Sequence, residues 1–197
     1  LQVLKRKFPK LESELKPIQQ DVSRGVQVLD NLLLLARLDP EQKESLAKTK
    51  FDLSLLMRDV IKALQPFADS KQIKISVVLT EQVYVLANEQ LLFSALRNLL
   101  DNAVRYSPEQ AQVFVNLTIE KQQLRLRIEN SGNGVDAAVI QRLGERFYRA
   151  LGTKTQGSGL GLSICQKIVD LHAGQLLFSS SDLGGLKVEL LLNRVEP

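Results

Sequence analysis

The chain has 197 residues, 44% of them apolar and 24% charged, with a formal net charge of +4, one cysteine and one histidine. These proportions argue against a disordered chain and a disulfide-stapled mini-domain, and they leave room for one mid-sized domain or a small domain plus an appendage. One Cys and one His cannot build a zinc site, no basic run is interleaved with aromatics in the way that tracks a nucleic-acid strand, and no apolar run approaches a membrane span.

Residues 10–38 read as one long helix. Leu11, Leu15, Ile18, Val22, Val26, Leu29, Leu33 and Ala36 recur at steps near four and three, a coiled-coil-like seam that Pro17 should kink or begin. Ahead of it, Leu1 to Phe8 is a short basic and apolar stump that Pro9 would end. Glu41 to Lys50 is polar and reads as a linker. Phe51-Asp52 then opens an amphipathic helix to about Ser70, with Asp52 as its N-cap. Lys74 to Thr80 and Val83 to Ala87 are strand-like, and Glu89 to Tyr106 is a strong helix ended by Ser107-Pro108. Gln112 to Ile119 and Gln123 to Glu129 alternate apolar and polar residues about a short turn, as a β-hairpin does. A short helix is expected at Ala137 to Leu143, then a polar, glycine-bearing loop. Leu160 to His172 is helical and stopped by Gly174, and strands follow at Leu176 to Ser180 and Leu186 to Leu192. The fold class is α+β, a mixed-sheet sandwich behind a bundle-type helix, divided as 1–40, a linker at 41–50, and a main domain at 51–197.

Four segments carry chemistry. In Asn98 to Tyr106, Asn98, Asn102 and Arg105 share one side of a helix whose other side is apolar. Asparagine has poor helix propensity, so two on one face ask for a reason. The Asn102 carbonyl suits a hard cation such as magnesium bridging phosphates, Arg105 suits a phosphate, and Tyr106 a base or ribose; a solvated helix face is the plain alternative. Gly157-Ser158-Gly159-Leu160-Gly161-Leu162 runs into a helix start, an arrangement that offers backbone N–H groups and a positive dipole end to phosphate. Asn130-Ser131-Gly132-Asn133-Gly134-Val135 closes a strand and taken alone is a turn. Glu145-Arg146-Phe147-Tyr148-Arg149 places cations and aromatics on a loop.

In this order and spacing, the four blocks resemble the Bergerat-type (GHKL) ATP-binding domain of bacterial sensor histidine kinases, with wording closest to the QseC- and PmrB-like sensors. The resemblance implies a two-layer α/β sandwich with a mixed sheet and three main helices. Residues 1–40 would be the remnant of the dimerisation and phosphotransfer hairpin, mainly its second helix, ending in the style of Ala36-Arg37-Leu38-Asp39. It implies Mg-ATP as ligand: Asn102 on magnesium, Asn98 and Arg105 near the phosphates, Tyr106 near the nucleoside, and Gly157 to Leu162 around the phosphates. Asn130, Gly132, Gly134 and Val135 would border the base. Residues from about Asp136 to Ser158 would form a lid, with Phe147 and Tyr148 beside the nucleotide and Arg146 or Arg149 on the γ-phosphate. The implied partners are the chain's own phosphoacceptor hairpin, in a homodimer, and a response regulator. The implied location is the cytoplasmic side of the inner membrane, with this portion itself not membrane-inserted.

Three departures stand out. The family's adenine-reading residue is usually Asp, where this chain has Asn130, which keeps an acceptor oxygen but lacks the charge. The last block usually reads Gly-Gly-Thr-x-Phe, against Gly184-Gly185-Leu186-Lys187-Val188 here. The sole histidine, His172, ends a helix and lacks the acidic neighbour and Leu-Arg-x-Pro tail of a phosphoacceptor. The acceptor is therefore expected upstream of Leu1, and this chain should not autophosphorylate. The ATPases that share the fold carry a glutamate as general base one turn before the magnesium-binding Asn; Asn98 holds that position and takes no proton at neutral pH. A nucleotide-sensing dimerisation module that transfers nothing is the second alternative.

Overall fold

The computed structural model describes residues 47–149 and 158–196, together with Ile18, Val22, Gly25, Leu29 and Leu33. The chain divides into two units, Leu1–Arg37 and Leu38–Pro197. In the first, the five described positions are helical, and Ile18, Val22, Leu29 and Leu33 are all exposed. The remainder of the expected seam, and the linker up to residue 46, lie outside the described residues.

The second unit opens with a strand, β1 (Thr49–Asp52), followed by helix α1 (Leu53–Ser70). This corrects the end of the expected linker, at Thr49 and Lys50, and the helix start at Phe51. Four residues are too few to show a period, and β1 exists through its antiparallel pairing with β3 (Tyr84–Ala87), with Phe51 opposite Val85. Asp52 does cap α1, its Oδ1 accepting from Ser54 N–H at 2.8 Å. The main sheet is five-stranded and mixed, in the order β2 (Lys74–Leu79), β4 (Gln112–Glu120), β5 (Gln123–Ser131), β7 (Gly184–Asn193), β6 (Gln175–Ser180). Its β2–β4 pair is parallel and the others are antiparallel.

Alternation along the strands sorts the two faces. Val115, Ile128 and Val188 form one cross-strand row, and Leu117, Leu126 and Leu190 the next, all buried beneath the helices. The intervening row, Asn116, Arg127 and Glu189, lies on the opposite face, where Arg125 pairs with Glu189 at 2.8 Å and Glu120 at 2.9 Å. Three helices cover the apolar face: α1, α2 (Glu89–Tyr106) and, after the single turn of α3 (Ala137–Ile140), α4 (Gly161–Leu171). The result is a two-layer α+β sandwich.

Helix α2 lies between α1 and α4, and both of its ends are fixed. Asn88 caps its start, Oδ1 accepting from Leu91 N–H at 3.0 Å. At its end the Lys71 ammonium donates to three carbonyls, Val104 O at 2.9 Å, Arg105 O at 3.0 Å and Ser107 O at 2.6 Å, placing a cation where the helix dipole favours one. Burial, then the nearby Arg105 charge, lowers the Lys71 pKa. Helix α4 runs antiparallel to α2. Its last residue is followed by His172, whose Nε2 accepts from Asn88 N–H at 3.0 Å while Nδ1–H donates to Ile168 O at 2.7 Å. Midway along, the buried Cys165 thiol donates to Ala95 O at 3.4 Å, and burial pushes its pKa up, as befits packing rather than reactivity.

Candidate functional site

The opposite end of the α2–α4 pair is built differently. Leu92, Leu96, Leu99 and Leu100 bury one side of α2, which leaves Asn98 and Asn102 half-buried on the side toward the start of α4. A methyl group on Gly161 would stand 3.8 Å from Asn98 Oδ1 and 3.8 Å from Asn102 Nδ2, so both carboxamides converge on that first helical residue. Neither has a hydrogen-bond partner among the described residues. No side chain caps α4 either: Leu160, wholly buried, occupies the cap position, and Ser158 Oγ accepts only weakly from Leu160 N–H at 3.4 Å. Half-buried polar groups normally find partners. Here two amide heads without partners among the described residues face a helix start that holds only the weak Ser158 bond, groups able to take an anion and a cation together.

The loop ahead of α4 carries the aromatic block. Phe147 N–H donates to Gly159 O at 3.0 Å, and a Cβ at Gly159 would lie 2.7 Å from the Phe147 carbonyl carbon. With φ at +73°, Gly159 is the residue type that both the turn and this close approach require. Phe147 is itself left-handed, at φ 62°, and 65% exposed. An open cavity beside it is lined by Asp136, Arg142, Arg146, Tyr148 and Arg149 among others. Arg142 is tied to Glu145 by two bonds of 3.0 and 2.9 Å and lies 4.1 Å over the Tyr148 ring. Arg146 is exposed.

Only part of the site expected from sequence comes together. Asn98, Asn102, Gly159, Leu160 and Gly161 meet at the α2–α4 opening, with Ser158 and Leu162 adjoining. Phe147 joins them through Gly159. Gly157, with the rest of 150–157, lies outside the described residues.

Two placements differ from expectation. Arg105 shares the helical stripe of Asn98 and Asn102, but its guanidinium is bidentate to Asp101, at 2.9 and 3.1 Å, and sits 5.4 Å over the Phe67 ring of α1. The α1–α2 seam holds it, not the opening. The i,i+4 spacing of Asp101 and Arg105 was the available signal for this. Asn130, expected to offer its oxygen to an adenine amino group, is 6% exposed and already uses that oxygen. Its Oδ1 accepts from Leu186 N–H at 3.2 Å, and Nδ2 donates to Ser131 O at 3.2 Å. Gly185 and Leu186, quoted from sequence only as part of the last block, come to Asn130 through the sheet register. Gly132, Gly134 (φ +86°) and the half-buried Val135 continue from there, and Tyr106 at the end of α2 is 43% exposed.

Residues 87–196 match the family described as histidine kinase-, DNA gyrase B-, and HSP90-like ATPase. The chain belongs to this family. Within it, the similarity runs to sensor kinases. Over 178 residues, 88% of this chain and 38% of the relative, it is 35% identical to the sensor protein QseC of Escherichia coli K12. Over 197 residues, 98% of this chain and 41% of the relative, it is 34% identical to the sensor protein kinase PmrB of Pseudomonas aeruginosa. The catalytic domain of the histidine kinase ThkA superposes with a TM-score of 0.69 at 26% identity, covering 75% of this chain and 95% of that one. The fold is therefore that of a histidine kinase catalytic domain, and the domain is an ATP-binding one. The chain spans about two fifths of the length of these curated relatives. Among the described residues no helix is long and apolar enough to cross a membrane, and no group of three or more His, Cys, Asp or Glu side chains could hold a metal.

Proposed function

We propose that this chain binds Mg-ATP in the opening between α2 and α4 and, as the catalytic part of a sensor histidine kinase, passes the γ-phosphoryl group to a histidine for relay to a response regulator. The observation that carries this is the pair of carboxamides without partners among the described residues, Asn98 and Asn102, set against a helix start that no side chain caps. Phosphoryl transfer asks for charge neutralisation and alignment more than covalent help, and that donor set supplies both. A bound magnesium ion would supply further charge neutralisation to the phosphates. Asn102 Oδ1 is the oxygen ligand for it, Asn98 hydrogen-bonds a phosphate, and the N–H groups of Gly159 to Leu162 receive the phosphate oxygens. Phe147 and Tyr148 cover the nucleotide, Tyr106 lies along the nucleoside, and Arg146 and Arg149 reach the γ-phosphate from the loop. Arg105 has no place in this set while Asp101 and Phe67 hold it. In the transfer, the bond from the γ-phosphorus to the β–γ bridging oxygen breaks, a phosphorus–nitrogen bond forms on the acceptor imidazole, and ADP leaves.

The acceptor is not His172. That imidazole is buried, both ring nitrogens are engaged, and it is the only histidine in the chain. We place the acceptor on the first helix of the same hairpin whose second helix residues 10–38 would supply, dimeric in the whole kinase, which a membrane-anchored protein carries on its cytoplasmic side. Incubating the chain with γ-labelled ATP and a separately supplied phosphoacceptor hairpin should place acid-labile label on the hairpin and none on the chain. Magnesium-dependent ATP binding without transfer would favour a nucleotide-sensing module instead. Absence of ATP binding would end the proposal.

A further inference from the structure

We infer that Asn133 is a site of intrinsic covalent modification: its side-chain amide is lost to the N–H of Gly134, and the exposed loop between β5 and α3 acquires an aspartate or isoaspartate in its place. The inference stands apart from the nucleotide reading. Asn133-Gly134 is the one Asn-Gly pair in the sequence. Both residues are exposed, in the stretch that leads from β5 to the α3 cap, Asp136. Neither the Asn133 amide nor the Gly134 N–H has a hydrogen-bond partner among the described residues. An exposed N–H of this kind is left to water, and glycine brings no Cβ to crowd an approaching atom.

The other described asparagines are each held out of this chemistry. Asn88 commits its oxygen to Leu91 N–H at 3.0 Å and its nitrogen to Ala47 O at 3.1 Å. Asn98 and Asn102 lie inside α2, where the next N–H belongs to the helix. Asn116 lies inside β4 and donates to Val78 O at 3.3 Å. Asn193 precedes Arg194, whose N–H donates to Gln122 O at 3.0 Å. Three residues before Asn133, Asn130 is 6% exposed and fixed at both ends of its amide, Oδ1 on Leu186 N–H and Nδ2 on Ser131 O, each at 3.2 Å. One short stretch thus carries a locked asparagine and an unbonded one.

The Gly134 nitrogen gives its proton to hydroxide and attacks the Asn133 Cγ, an intramolecular step that gains from proximity. The N–Cγ bond forms and closes a succinimide ring, the Cγ–Nδ2 bond breaks, and Nδ2 leaves as ammonia with a proton drawn from water. A water molecule then adds to one ring carbonyl. Opening at Cγ restores the main chain with an aspartate. Opening at the main-chain carbonyl instead routes the chain through Cβ and Cγ, which leaves an isoaspartate and a longer backbone. Both sides of the loop are fixed. A methyl group on Gly184 would lie 2.7 Å from the Gly132 oxygen, so β7 touches the loop there, and Asp136 Oδ1 accepts from Ala138 N–H at 2.8 Å. Between them the extra length bulges outward at two exposed residues, so packing does not oppose the longer product.

The test incubates the whole chain in warm, mildly alkaline water carrying heavy oxygen, beside the same chain held unfolded in denaturant, and digests both with trypsin in ordinary water. Fragmentation of the peptide spanning 128–142, which holds Asn130 and Asn133 together, reads the two side by side. Heavy oxygen should enter at 133 of the folded chain within about fivefold of the unfolded rate, no more protection than one hydrogen bond gives, whereas folding should slow entry at Asn130 by at least about tenfold through its two. The rate at 133 should rise with pH, because the attacking nitrogen must first lose its proton. Asn133→Gln, whose longer side chain closes the ring poorly, should keep the fold and lose most of the label from this peptide. An Asn133 amide that folding protects by more than fivefold overturns the inference. So does entry at Asn130 as fast as at 133, a rate indifferent to pH, or label that Asn133→Gln leaves in place.

Discussion

The two ends of the α2–α4 helix pair are made from the same kinds of residue and finished in opposite ways. At one end, Asn88 and His172 spend every side-chain polar group on nearby backbone: Asn88 Oδ1 accepts from Leu91 N–H and Nδ2 donates to Ala47 O, while His172 Nε2 accepts from Asn88 N–H and Nδ1–H donates to Ile168 O. At the other, Asn98 and Asn102 point at the start of α4 and bond to nothing among the described residues. Both pairs sit on well-packed helices, so the difference does not come from looseness. A closed end contributes to folding, while an open end keeps its hydrogen-bonding capacity for something that arrives later.

That contrast can be broken in order of expected size. Asn102→Ala removes a side chain with no partner among the described residues, so the thermal midpoint should hardly move, while Mg-ATP affinity falls about 10- to 100-fold, the worth of one contact to a charged group. Calorimetry beside a melting curve reads both, and a large loss of stability with affinity kept would invert the assignment of the two ends. His172→Ala is the mirror experiment. It orphans the Asn88 N–H and should cost about 1–3 kcal/mol of stability, with ATP affinity unchanged in the folded fraction.

The same ring gives the closed end a pH signature. Burial holds the His172 pKa below its ordinary value of 6.5, so its contribution is complete above that value and is lost as pH falls through the lower folded pKa. Chemical denaturation across that window should show the decline in the unmodified chain and not in His172→Ala. The smallest effect belongs to Arg105→Ala. Its partly exposed pair with Asp101, at 34% and 24% side-chain exposure, is worth less than about 1 kcal/mol. A tenfold loss of ATP affinity there would mean that the guanidinium leaves Asp101 to join the opening.

Much of this was legible in the sequence. Helix α2 was expected at the bounds it has, because eighteen residues of apolar period between Asn88 and Ser107-Pro108 leave little freedom. The opening was legible too, since unfavourable asparagines at a four-residue step and a glycine-rich helix start are local signals. What escaped was non-local. β1 is four residues long and exists only because β3 pairs with it. The locking of Asn130 depends on a register slip with a strand over fifty residues away, as the Leu186 bond records. Arg105 was assigned by angular position on the helix, while Asp101 and Phe67 decide where a long, flexible side chain ends. Angular position places a Cβ, not a charge.

The ammonium of Lys71 has a consequence for labelling chemistry. Each of its three hydrogens faces a carbonyl at the final turn of α2, where the nitrogen is part-buried. Reductive methylation should therefore modify Lys71 after the exposed lysines have reacted. Where it does react, the displaced carbonyls would unravel the turn that carries Tyr106, and footprinting by mass spectrometry would record the two events together.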